Sequence, residues 1–226
     1  MIPLVRAVRD GLAALADPVA APAMQAYMKS VMPFRGVPKP ARDGLVRELV
    51  ATRPAPDARA FGALVRELWD GAEFREDRYV AIALTGQRRW SPPQDASWVP
   101  LHRHWIVTGA WWDTTDEIAT KRIGPLLRDD PGTLTPVLRG WATDPDRWLR
   151  RTAVIAQLGS RTVTDTALLA AAIEANLADP DFFLRKAIGW ALRQHARTDP
   201  EWVRRFVAEH PGLSPLSRRE ALRHLG

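Results

Sequence analysis

The sequence predicts an all-α protein built as a curved α-solenoid of antiparallel helix pairs. Three observations carry that expectation. Apolar residues recur at helix spacing, Pro and Gly punctuate the chain at short intervals, and one helix-opening motif returns after 35 residues, from Asp144 to Asp179. No segment alternates β-branched and polar residues, so a sheet is not expected.

Taken in order, Val5, Val8, Leu12 and Leu15 mark the first helix. Leu45, Leu49 and Val50 mark another, and Leu64, Val65, Leu68 and Trp69 a third. Breaks are expected near Pro18 to Pro22, Pro33 to Pro40, Pro54 to Pro56, Pro92-Pro93, Gly109, Pro131-Gly132, Pro145, Pro180, Pro200 and Pro211-Gly212. They leave helices of roughly ten to sixteen residues, near the globular average.

The repeat lies in the C-terminal half. Asp144-Pro145-Asp146-Arg147-Trp148-Leu149-Arg150-Arg151 is echoed by Asp179-Pro180-Asp181-Phe182-Phe183-Leu184-Arg185-Lys186, and more weakly by Asp199-Pro200-Glu201-Trp202. In each, an Asp can cap a helix whose first-turn Pro needs no hydrogen-bond partner. A 35-residue period without the Trp, Gly and Tyr spacing of a TPR favours a HEAT-like or ARM-type array, read here as one domain over 1–226 with a concave face.

Composition narrows the chemistry. With no cysteine, disulfides and Cys-ligated zinc or iron–sulfur centres are excluded. The first residues mix Arg6, Arg9, Asp10 and Asp17 among apolar positions, and no apolar run approaches a membrane span, so a cytoplasmic protein without a membrane partner is expected. There are 32 basic and 26 acidic residues, net +6, and all but four of the basic ones are Arg. Guanidinium groups suit phosphate, although an Arg- and Ala-rich composition also follows from genomic base content.

Placement therefore matters more than the total. On the helix after Asp181, Leu184, Ile188, Ala191 and Leu192 form an apolar stripe, and Trp190 falls opposite it beside Lys186, Arg193 and Arg197. That face either packs on the next repeat or presents an aromatic among phosphate-binding cations. Arg147, Arg150 and Arg151 surround Trp148 in the preceding repeat, which suggests a basic track following a nucleic-acid backbone.

The densest feature is Trp111-Trp112-Asp113-Thr114-Thr115-Asp116. Trp112 and Asp116 stand one turn apart on a helix, placing an indole beside a carboxylate, a setting that stabilises a cation. Asp113 is expected in the first turn, Trp111 in the core, and Trp69, Trp105 and Trp141 as packing residues. His102 and His104 lack further ligands in sequence, so no metal or other cofactor is expected. None of Lys29, Lys39, Lys121 and Lys186 has the setting of a lyase nucleophile.

These motifs, with Trp148 to Ala153, Lys186 to Trp190, Pro215 to Ala221, Tyr27 to Lys29, Pro33 to Val37 and Arg66 to Asp70, together resemble the bacterial AlkD family of DNA alkylation-repair glycosylases. The resemblance implies a concave basic face that holds duplex DNA, and a monofunctional, monomeric glycosylase releasing cationic N3- and N7-alkylated purines without a tight base pocket. It assigns Asp116, Trp112 and Trp190 to catalysis, and Arg151 and Tyr27 to DNA contact. Arg150, Lys186 and Arg193 are expected to bind DNA from their places on the basic faces. Thr115 departs from the family, where an apolar residue is common. Two other classes compete: a non-catalytic HEAT protein binding distorted or branched DNA, and a protein-scaffolding solenoid. An Asp116 open in a groove favours the enzyme; one buried in a salt bridge favours the binder.

Overall fold

The computed structural model describes residues 2–225, so the ends of the expected 1–226 domain, Met1 and Gly226, lie outside the described residues. All regular structure among the described residues is helical. The chain divides between Pro93 and Gln94 into two compact units, at the Pro92-Pro93 break between helices.

The first unit contains α1 (Pro3–Ala14), α2 (Ala20–Met28), α3 (Lys39–Thr52), α4 (Ala58–Asp70) and α5 (Arg75–Leu84). Its core gathers Val5, Val8 and Leu12 of α1 against Phe61, Leu64, Val65, Leu68 and Trp69 of α4. Leu15 departs from the expected stripe: α1 ends at Ala14, and Leu15 is exposed just beyond it. The motif Pro33 to Val37 is held by a buried carboxylate that sequence reading passed over. Glu76 accepts hydrogen bonds from the backbone N–H groups of Arg35, Gly36 and Val37 at 3.0–3.1 Å. Gly36 has φ +82°, and a Cβ there would lie 2.1 Å from the Asp17 carbonyl oxygen, so only glycine fits.

The second unit opens with a short 3₁₀ turn and α6 (Val99–Gly109), α7 (Trp112–Ile118) and α8 (Gly124–Asp129). It continues with α9 (Pro131–Trp141), α10 (Arg147–Ile155), α11 (Thr166–Glu174), α12 (Phe182–His195), α13 (Pro200–Glu209) and α14 (Pro215–Ala221). Short loops join α9 to α10 and α13 to α14, the connection typical of antiparallel neighbours. α10 packs against α6, α7, α9, α11 and α12, and α12 packs most closely on α14.

α7 and α8 are continuous through a π turn at Ala119–Ile123. Its cause is Pro125, which has no N–H to give the Lys121 carbonyl and whose ring would crowd it. That carbonyl instead accepts a hydrogen bond from Arg122 Nη1 at 2.8 Å. Just after the turn, Gly124 lies against α10; a Cβ there would come within 2.4 Å of the Ala156 carbonyl oxygen.

The repeat is real, but its cap is shifted. Asp146 and Asp181 cap α10 and α12 by accepting from the N–H groups of Trp148 and Leu149, and of Phe183 and Leu184. Asp144 and Asp179 instead accept from the N–H of Asp146 and Asp181 at 2.8 and 2.7 Å. Pro145 and Pro180 thus precede their helices, each inside a turn that the first Asp closes and the second Asp ends as the cap. The expected Asp-Pro start does occur at Asp199-Pro200. Neighbouring repeats are stitched by Arg147 to Asp181 and Arg150 to Asp179, each 3.0 Å.

Candidate active site

Trp112 opens α7 and Asp116 follows one turn later, both half-buried. Asp113 lies in the first turn, where its carboxylate accepts from the Thr114 N–H at 2.8 Å. Thr115 is fully buried. The helical spacing therefore separates the row: Asp116 stands beside α10 while Thr115 packs inward.

Asp116 meets Arg151 of α10 through two parallel bonds. Arg151 Nε donates to Oδ1 at 2.7 Å and Nη2 to Oδ2 at 2.8 Å. The remaining nitrogen, Nη1, donates to the Phe183 carbonyl at the start of α12. Guanidinium and carboxylate fit edge to edge in this way, so each fixes the plane of the other. The Asp116 side chain keeps 18% of its surface open, against 7% for Arg151. Burial raises the Asp116 carboxyl above its ordinary range, opposed by the hydrogen bonds and charge of Arg151 and reinforced by the negative charge of Asp113.

Beside this pair lies an aromatic cluster that sequence reading did not assemble. Trp111, Trp148 and Phe183 pack with ring centroids 5.1–5.9 Å apart, and the Arg147 guanidinium sits 5.0 Å from the Trp148 ring. Trp111, expected in the core, is half-buried in this cluster, whereas Trp148 is 2% exposed and belongs to the core rather than to a surface cluster of arginines. A signal was present in the repeat itself, since Trp148 and Phe183 occupy the same register 35 residues apart. The cluster supports the Phe183 carbonyl and, through it, the angle at which Arg151 presents Asp116.

On α12, Leu184, Ile188, Ala191 and Leu192 are buried as the stripe requires, and Trp190 is half-buried. The adjacent Gly189 lets α14 approach; a Cβ there would lie 2.6 Å from the Glu220 Cβ. Glu220 accepts from Lys186 at 3.2 Å and from Arg193. Burial opposes its ionisation, yet Lys186, Arg193 and Arg223 together outweigh that and hold its carboxyl below the ordinary range.

The other expected DNA-binding residues are placed as follows. Arg150 bonds the carbonyls of Asp144 and Pro145 and the Asp179 carboxylate, bracing two repeats. Tyr27, on α2 of the first unit, is 75% exposed. His102 is fully buried between the rings of Trp98 and Trp105. Burial, with Arg122 adding to it, pushes its pKa down to about 3, so it is neutral. Among the described residues no group of three or more His, Asp or Glu could hold a metal ion, and no helix is long and apolar enough to cross a membrane.

The site is thus a guanidinium-clamped carboxylate one turn from an indole, carried on a protein of helical repeats. The chain belongs to the DNA alkylation repair enzyme family, whose model matches residues 8–225. It is similar to a solved structure described as a predicted DNA alkylation repair enzyme from Enterococcus faecalis. The two are 32% identical with a TM-score of 0.81, over 93% of this chain and 97% of that one. No curated protein matches. A role in DNA alkylation repair and DNA as partner follow from the family.

Proposed function

We propose that this protein is a monofunctional, monomeric DNA glycosylase of the AlkD type. It hydrolyses the N-glycosidic bond of cationic alkylated purines in duplex DNA, such as 3-methyladenine and 7-methylguanine, in the cytoplasm of a bacterial cell and without a cofactor. The observation that carries this reading is the Asp116 carboxylate, clamped by Arg151 on a side chain that keeps 18% of its surface open.

The chemistry asks little of the protein. A purine alkylated at N3 or N7 already carries positive charge, so it leaves with the bonding electron pair as a neutral base and needs no general acid. Charge passes to the deoxyribose, and water adds at C1′ with loss of a proton. Asp116 stabilises the cationic sugar and takes up that proton from the attacking water. Arg151 keeps the carboxylate ionised and aimed. Trp112 and Trp190 supply aromatic faces to the sugar, and Tyr27, Arg150, Lys186 and Arg193 contribute to holding the duplex.

A second reading, DNA binding without excision, draws on the same ion pair, because both oxygens of Asp116 are already engaged by Arg151. Incubation with methylated duplex DNA separates the two. The glycosylase releases free 3-methyladenine and 7-methylguanine and leaves neutral uracil in place. Tight binding with no released base supports the binder, and uracil release at a comparable rate removes the requirement for a cationic lesion.

A further inference from the structure

A cavity lies between α10 and α12, at their C-terminal ends, and does not include the Asp116–Arg151 pair. Its volume is about 250 Å³, and its lining includes Arg161, Arg197, Gln194, Thr198, Leu169 and Ala191. That volume is roughly eight waters' worth, room for a small hydrated anion rather than a drug-sized molecule.

The cavity brings two exposed arginines, Arg161 and Arg197, to one concave place. Arg147, Arg150 and Arg151 are each paired with a carboxylate of the chain, and Lys186 and Arg193 share that of Glu220. Arg161 and Arg197 have no hydrogen bond or ion pair from their guanidinium groups among the described residues, and no acidic residue lines the cavity. Gln194 and Thr198 add side-chain donors that are also unpartnered.

The loop that carries Arg161 is built rather than loose. Gln157 clasps the backbone of Asp165 twice, accepting from its N–H at 2.7 Å and donating to its carbonyl at 2.9 Å. Between these points Arg161 has φ +53°, a left-handed conformation that costs a side-chain-bearing residue about 1 kcal/mol. Lys29 and Ala110 share that conformation as helix C-caps, whereas Arg161 adopts it in a loop that lines the acid-free cavity. Gln194 follows Trp190 by one turn of α12, so the cavity continues the helix face that carries Trp190.

We propose that this cavity is a phosphoryl-anion site in which Arg161 and Arg197 grip one phosphate group, with Gln194 and Thr198 donating to its oxygens. The source is either a backbone phosphate of the duplex, an arm that rests on the proposed DNA-binding function, or a free phosphoryl compound, which does not.

The test uses the full chain and the Arg161→Gln/Arg197→Gln variant, with a thermal melt to confirm that the variant folds. Inorganic phosphate titrated into the free protein is followed by NMR at the amides of Gly159 to Thr164. Duplex affinity is measured from 50 to 200 mM salt. Saturable shifts that vanish in the variant support the site, whether or not the protein binds DNA. A fall of about 0.9 in the magnitude of the log–log salt slope assigns the anion to the duplex backbone. Shifts with an unchanged slope assign the site to a free phosphoryl group. No saturable shifts together with an unchanged slope overturn the proposal, while loss of all duplex binding by the wild type refutes the DNA reading and leaves the phosphate titration to decide.

Discussion

Arg151 and Asp116 join α10 to α7 through two parallel hydrogen bonds of 2.7 and 2.8 Å. The third nitrogen of Arg151 reaches the Phe183 carbonyl of α12, so one guanidinium holds three helices in register around one carboxylate. This makes Arg151 a positioning residue for Asp116 as well as a candidate for DNA contact. The two roles compete, because a phosphate that recruits Arg151 must share it with Asp116.

The first prediction concerns pH. Burial lifts the Asp116 carboxyl and Arg151 opposes the lift, so the carboxylate form is lost as pH falls through a value above that of an ordinary aspartate. Excision measured above the uncatalysed background then drops on the acid side at a higher pH than free aspartate titrates. Arg151→Gln removes the downward pull and moves that limb to still higher pH. A limb that stays in place shows that Asp116 is not the group being titrated.

Losing the guanidinium also leaves a mostly buried carboxylate without its partner. Arg151→Ala is expected to destabilise the fold by roughly 1–3 kcal/mol, between the values for exposed and fully buried pairs. Denaturant unfolding of wild type and variant measures it, and Arg151→Lys recovers only part because it cannot form both bonds at once.

Gly124→Ala probes the seat of α8 on α10. Its new Cβ would meet a backbone carbonyl, that of Ala156, at 2.4 Å, and backbone does not yield as a flexible side chain does. A loss of about 1–3 kcal/mol is expected, together with a slower chemical step, since the helix continues through the π turn to Asp116. Unchanged melting and unchanged single-turnover rate would show that the close approach is not needed.

Glu220 occupies Lys186 and Arg193, which the proposed function assigns to duplex binding. Glu220→Gln frees both cations, so duplex affinity at low salt rises and its salt dependence steepens by about 0.9 for each phosphate newly contacted. Affinity unchanged at every salt concentration would mean that neither cation reaches DNA.

Much of this arrangement was legible in the chain. The Pro and Gly breaks located most of the loops but not those at 71–74 and 156–165, and the apolar stripe on α12 was readable from its 3.6-residue period. Where reading failed, the cause was pairing across helices. Trp148 and its arginines read as a surface cluster, but the neighbouring repeat supplies Phe183 to bury the ring and Asp179 and Asp181 to take the charges. Glu76 gave no signal, because what it binds is backbone N–H, which every residue carries. The π turn was announced only by Pro125, and a proline in a helical pattern ordinarily indicates an end.

The most direct measurement is single-turnover release of 7-methylguanine from duplex DNA by wild type and Asp116→Asn, with duplex binding measured in parallel. A wild type that excises and a variant that binds equally well but reacts about 10²–10³-fold more slowly is the result expected for a carboxylate stabilising the departing charge. Equal rates for the two proteins, or a wild type that binds and releases no base, would contradict it.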